Sequence, residues 1–103
     1  MKQYDVKISR AALSDMEQIY SYIADRLLEP DTAMGQYNRL AEAIQSLNIL
    51  PELVESEPER TQGLRQMLVD NYSVFYIVGE DTVSVARVLY SASDLVRRLR
   101  RMK

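Results

Sequence analysis

Tyr4, Val6 and Ile8 alternate with Asp5 and Lys7, the two-residue period of a strand with one buried face. The period then changes. From about Arg10 to Leu28 the apolar positions Leu13, Met16, Tyr20, Ile23 and Leu27 fall three and four apart and predict a helix, with Ile19 and Ala24 widening its stripe. Ser9 is a natural N-cap, since its hydroxyl can accept a backbone N–H left unpaired in the first turn. Pro30 ends the segment, because proline disfavours helical geometry in the residue before it. Asp31 is expected to cap a second helix with the stripe Ala33, Tyr37, Leu40, Ile44 and Leu47, closed by Pro51. Two amphipathic helices joined by so short a link are expected to fold back as an antiparallel hairpin.

Residues 52–63 carry Glu52, Glu55, Glu57 and Glu59 with Pro58 and Gly63, show neither period, and predict a solvated loop. Strand-like segments follow at Leu64–Val69, Ser73–Val78 and Val83–Tyr90, rich in the β-branched and aromatic residues that pleated surfaces favour. Asp70 and Asn71 mark the first turn between them, and Gly79, Glu80 and Asp81 the second. Leu95, Val96, Leu99 and Met102 predict a short final helix beginning after Ser93 or Asp94. The fold class is therefore α+β: an N-terminal strand, an antiparallel helical hairpin, a three-stranded antiparallel meander and a short C-terminal helix.

At 103 residues the chain has room for one core, so residues 1–103 are expected to form a single domain. With 47% hydrophobic and 27% charged residues the balance is that of a globular protein rather than a disordered or membrane one. No apolar run approaches the roughly 20 residues that span a bilayer, and the N-terminus reads straight into a strand rather than a signal segment, so cytoplasmic residence without membrane association is expected. The absence of Cys and His removes disulfides, thiolate metal sites, the commonest general base and the commonest metal ligand. Neither a metal nor a nucleotide motif is present, and no cofactor or small-molecule substrate is expected.

The net charge of −2 hides an uneven distribution. All 15 acidic residues and 8 of the 13 basic ones precede Arg97, which leaves −7 on residues 1–96, while residues 97–103 carry +5. Such a tail can meet nucleic acid or an acidic partner, or simply complement the dipole at a helix end.

The element order and several local stretches resemble the RelE/ParE family of bacterial toxin-antitoxin toxins. Ala12-Leu-Ser-Asp-Met-Glu-Gln-Ile-Tyr-Ser-Tyr-Ile23 is similar to the family's first helix, Pro30-Asp-Thr-Ala33 to the turn into its second, and Leu47 followed by Pro51 to that helix's end. Gly63-Leu-Arg-Gln-Met-Leu-Val-Asp-Asn-Tyr-Ser-Val-Phe-Tyr-Ile-Val78 and Val85-Ala-Arg-Val-Leu-Tyr90 are similar to its sheet core. The resemblance implies a toxin neutralised by a cognate antitoxin protein that wraps around it.

Two modes of action are known in that family. RelE-type members cut messenger RNA on the ribosome, with Lys and Arg carrying phosphate charge and a late Tyr, Glu or His moving a proton. Here Ser73 stands where those members have an Arg, Leu64-Arg-Gln-Met-Leu-Val69 replaces a Lys-rich strand, and Ala92-Ser93 replaces a basic pair. Only Arg65, Arg87, Tyr72, Tyr76 and Tyr90 remain as candidates, with Arg65, Arg87 and Tyr90 the catalytic set of a nuclease, and the set looks incomplete. ParE-type members instead inhibit DNA gyrase by binding and need a recognition surface, not proton transfer. The ParE-like reading leads; an mRNA endonuclease, or an inactive antitoxin-binding module of the same fold, are the alternatives. The acidity of residues 1–96 weighs against both active readings, since a toxin that grips RNA or pairs with an acidic antitoxin is more commonly basic.

Individual residues keep two readings each. Arg87 interrupts an apolar strand and must be paired, either by a target at the sheet surface or by an acidic residue of the helices. Arg65 is either functional or an exposed strand-edge cation. Tyr90 either stacks on a base or donates a proton, or else packs with its hydroxyl at the surface. Tyr20, Tyr22 and Tyr37 are expected in the core or at an antitoxin contact. Asp15 and Glu17 point to different helix faces and cannot act as a carboxylate pair.

Overall fold

The computed structural model describes residues 3–49 and 64–101, with side chains to residue 98. Strand β1 (Asp5–Ile8) leads into helix α1 (Arg10–Ser21), which widens into a π-helical turn over Tyr22–Arg26. Helix α2 (Pro30–Gln45) returns and ends in a 3-10 turn over Ser46–Asn48. Strands β2 (Leu64–Val69), β3 (Tyr72–Val78) and β4 (Thr82–Tyr90) follow, then helix α3 (Asp94–Arg101). Pro51, the loop expected at residues 52–63 and Met102 lie outside the described residues.

The three late strands form the expected antiparallel meander, and β1 joins it in parallel beside β4, giving the order β1-β4-β3-β2. Alternation alone could not name that neighbour, because the two-residue period records which face is buried and not what lies alongside. On the helix-covered face, Met67, Val74, Tyr76, Val83, Val85 and Val88 pack against Ala12 and Met16 of α1 and Leu40, Ile44 and Leu47 of the second helical segment. Each Val, Leu, Ile or Met side chain so buried contributes about 1.5–3 kcal/mol by leaving water. α3 contacts β4, and Val96 and Phe75 are buried outside that main cluster.

Three expectations about the helices need correction. Leu13 and Leu27 do not line the core: they are about half exposed, and the buried row of α1 runs Ala12, Asp15, Met16 and, beyond it, Ile23. That row keeps the three-and-four spacing but admits a carboxylate, which a hydrophobic count passes over. Asp31 does not cap α2; Glu29 holds the cap position without a side-chain bond, and Pro30 opens the helix. Proline suits that first position, since its missing N–H would have had no helical partner there. The first helix does not stay α-helical to Leu28 either. Its π-helical turn is closed by the Glu29 N–H donating to the Ile23 carbonyl at 3.1 Å, with Leu28 at φ 56°.

Ser9 joins sheet and helix. Its N–H donates to the Val85 carbonyl at 3.0 Å, its hydroxyl donates to the Ala86 carbonyl at 2.8 Å and accepts from the Ala12 N–H at 3.0 Å. The cap read from the sequence is present, and it also occupies a bulge in β4: the register steps from Phe75↔Arg87 to Tyr76↔Val85, so Ala86 has no cross-strand partner.

Candidate functional site

β1 stops at Ile8, opposite Val85, so the flank of β4 beyond that point has no strand beside it. α1 crosses there, and Asp15 takes the place of a strand by accepting the Val88 N–H at 2.9 Å. The same carboxylate accepts from Arg87 Nε at 2.8 Å and Nη2 at 2.9 Å, a bidentate pair. The Asp15 hydrogen bond, aided by its charge, holds the guanidinium more firmly protonated than usual, against a smaller opposing effect of burial. Of the two roles expected of Arg87, the geometry shows the ion pair to a helix carboxylate. In the sequence, Asp15 is signalled by its place between Ala12 and Met16 at helical spacing and by the need of Arg87 for a partner.

Arg65 registers with Tyr76, and Tyr90 with Tyr72. These two rows lie on the same sheet face but four residues apart along β3, about 13 Å at the rise of a strand. Arg87 registers with Phe75, an odd number of positions from Tyr90, so its side chain leaves the strand on the opposite face, and its guanidinium is held by Asp15 of α1. The three candidate residues therefore do not converge on one point. General acid–base catalysis needs its groups within about 3 Å of a shared reacting atom.

What does gather is a set of aromatic and polar side chains at the Tyr90 end of the sheet. The rings of Tyr72 and Tyr90 meet edge to face, centroids 6.0 Å apart at 66°. Burial raises the Tyr72 phenol above its ordinary range, and the nearby Tyr90, Tyr22 and Asp70 add to the effect. Tyr22, from the π-helical turn, is 52% exposed and Tyr90 53% exposed. Asp70 sits in the β2–β3 turn with φ 54° and is held from α2: Arg39 Nε and Gln36 Nε2 donate to its Oδ2 at 2.8 and 3.0 Å. Those bonds, Arg39 foremost, lower its carboxyl pKa. The network fixes the turn that presents Tyr72 against the helix that faces it. Tyr20 and Tyr37 form a second edge-to-face pair across the hairpin, centroids 6.3 Å apart, beside a shallow groove of about 450 Å³.

On the opposite face Gln66 Nε2 donates to Ser73 Oγ at 2.8 Å, and Ser73 Oγ shares a hydrogen bond of 2.8 Å with Ser91 Oγ. Ser73 is thus buried and committed to a structural ladder. Among the described residues no group of three or more Asp or Glu is arranged to hold a metal ion, and no helix is long and apolar enough to cross a membrane.

Residues 6–95 match the family model of the ParE toxin of the type II toxin-antitoxin system parDE. Over 93 residues, 89% of this chain and 94% of the relative, the sequence is 30% identical to Toxin ParE1 of Mycobacterium tuberculosis. Among solved structures the fold is similar to the chromosomal ParDE system of P. aeruginosa, with a TM-score of 0.75 at 19% identity over 85% of this chain and 96% of that one. It is also similar to the RelBE2 toxin-antitoxin complex of Mycobacterium tuberculosis, with a TM-score of 0.63 at 20% identity over 90% and 97%. At these identities the structural likeness establishes the fold.

Proposed function

The chain belongs to the ParE toxin family of type II toxin-antitoxin systems, and from that premise we propose that it arrests bacterial growth by binding a target, DNA gyrase being the leading candidate. A cognate antitoxin protein neutralises it, in keeping with the toxin-antitoxin assemblies whose folds it shares. Action on gyrase, with neutralisation by an antitoxin, implies the cytoplasm as its site of action.

The observation that carries the reading is the dispersal of Arg65, Arg87 and Tyr90 over two faces and two rows of the sheet, in a chain without histidine. A nuclease needs those groups together. A binding toxin needs a preformed surface, and Tyr22, Tyr72 and Tyr90, braced by the Asp70 network, have the aromatic character of protein-recognition patches. On this reading Tyr90 is a contact residue and Arg87 a positioning residue.

Controlled expression in bacteria, paired with a supercoiling assay on purified gyrase, tests the proposal. Expected are growth arrest, DNA-damage signalling, intact mRNA and loss of supercoiling, with Tyr90→Ala weakening the inhibition while leaving the fold intact. Codon-linked mRNA cleavage would replace this reading with the ribosome-dependent nuclease, and normal growth would replace it with an inert antitoxin-binding module.

A further inference from the structure

Helix α3 concentrates cation in a way that its structural role does not require. Residues 97–103 carry +5, against −7 on residues 1–96. A helix C-terminus presents about half a negative charge, so complementing its dipole uses a small part of that total. The helix is also anchored, not loose. Ser93 caps it, its Oγ accepting the Val96 N–H at 3.2 Å, and Val96 is 1% exposed in contact with the body.

The 100° step of the helix sets Leu95, Val96 and position 99 on one arc, and Arg97, Arg98 and positions 100 and 101 on the other. Arg97 and Arg98 are exposed. Arg97 makes only a long, exposed ion pair of 3.8 Å to Asp94 and a marginal bond of 3.5 Å to the Ala92 carbonyl. Among the described residues Arg98 has no ion pair, and Arg97 has only that long one.

We propose that this arc of α3 grips the phosphate backbone of duplex DNA, without reading its sequence. Charge density selects the partner. A duplex carries one negative charge per roughly 1.7 Å of axis, and four basic residues within two helical turns match that density better than the sparser carboxylates of a protein surface. Arginine supplies four of the five cations, and its planar fork binds phosphate oxygens in pairs where lysine acts as a point charge. The acidity of residues 1–96 confines the contact to this helix. The contact is independent of gyrase being the target.

Fluorescence anisotropy of a labelled 24-base-pair duplex, titrated with the full chain at several salt concentrations, tests it. With four phosphates engaged, affinity falls on the order of 100-fold between 50 and 200 mM salt. Arg97→Glu/Arg98→Glu should weaken binding at 50 mM salt at least tenfold and flatten the log–log salt slope by about 2, with the unfolding midpoint unchanged. Arg97→Lys/Arg98→Lys should retain the slope, and Arg97→Gln/Arg98→Gln gives the same readout should charge reversal impair folding. Absence of binding at 50 mM salt, or equal affinity of wild type and the Gln variant, overturns the proposal. So does equal or better competition by polyglutamate or by anionic lipid vesicles.

Discussion

Asp15 and Arg87, 72 positions apart in sequence, face each other with Nε–Oδ2 at 2.8 Å and Nη2–Oδ1 at 2.9 Å, and the same carboxylate receives the N–H of Val88. One side chain of α1 thereby completes the hydrogen bonding of β4 where β1 has ended, and neutralises the only charge set within that strand.

Removing either member should destabilise the fold. Asp15→Ala leaves a buried N–H and a partly covered guanidinium without partners and is expected to cost about 2–3 kcal/mol, the exposure of Arg87 keeping the figure below that of a fully buried pair. Arg87→Ala should cost a comparable amount, and the double variant clearly less than the sum. Urea unfolding of the four proteins measures this, and strict additivity would show that the pair is not coupled.

Asp70 predicts an acid limb. Its folded-state carboxyl pKa lies below the ordinary value because Arg39 and Gln36 bond the ionised form. The folded state therefore holds fewer protons there than the unfolded one, and the associated stability is present above about pH 4 and lost as pH falls through the lowered value. Unfolding midpoints measured from pH 7 to pH 2 should drop less steeply for Asp70→Asn than for wild type. An identical acid limb would remove Asp70 from the account.

Tyr76 predicts the alkaline counterpart. It is fully buried, and burial raises its phenol pKa. Here the folded state keeps the proton longer, so stability is complete below about pH 10 and is lost as pH rises past the unfolded value toward the raised one. The stability of Tyr76→Phe should fall less than that of wild type as pH rises through the alkaline range, whatever its value at pH 7; unfolding followed by far-ultraviolet circular dichroism from pH 8 to pH 12 measures it, and an equal fall would remove Tyr76 from the account.

Leu28 is 79% exposed and sits at φ 56°, a left-handed conformation that a branched side chain adopts at a cost of about 1–2 kcal/mol. With so little packing to lose, Leu28→Gly should stabilise the protein by about 1 kcal/mol. A fall in thermal midpoint would mean that the exposed Leu28 side chain makes contacts worth more than the relief.

Much of the architecture was readable from spacing. The switch from alternate to three-and-four periodicity located both helices, Ser9 announced its cap, and the turn residues Asp70 and Asn71 separated β2 from β3, all local effects that short windows of sequence record. The parallel seat of β1, the Asp15 brace and the gathering of Tyr22 with Tyr72 and Tyr90 join residues tens of positions apart, and no period reports them. Arg87 stands between the two cases: an arginine among valines announces that it is paired, and its register decides with what. The π-helical turn escaped for another reason, since one wider turn shifts the phase of Leu27 and Leu28 without altering the composition that predicted a helix.

The parallel seat of β1 also sets an order of assembly. Its partner β4 is encoded last among the strands, so the opening residues of the chain have no ladder to join until Thr82–Tyr90 has left the ribosome. During synthesis the apolar rows of α1 and α2 emerge without the sheet that covers them, and so distant a pairing closes slowly. A nascent chain stalled before residue 82 should be cut by protease within α1, while the full sequence, tethered to the ribosome by an added linker long enough to bring α3 out of the exit tunnel, should resist. Protection in the shorter chain would show that the hairpin shelters itself.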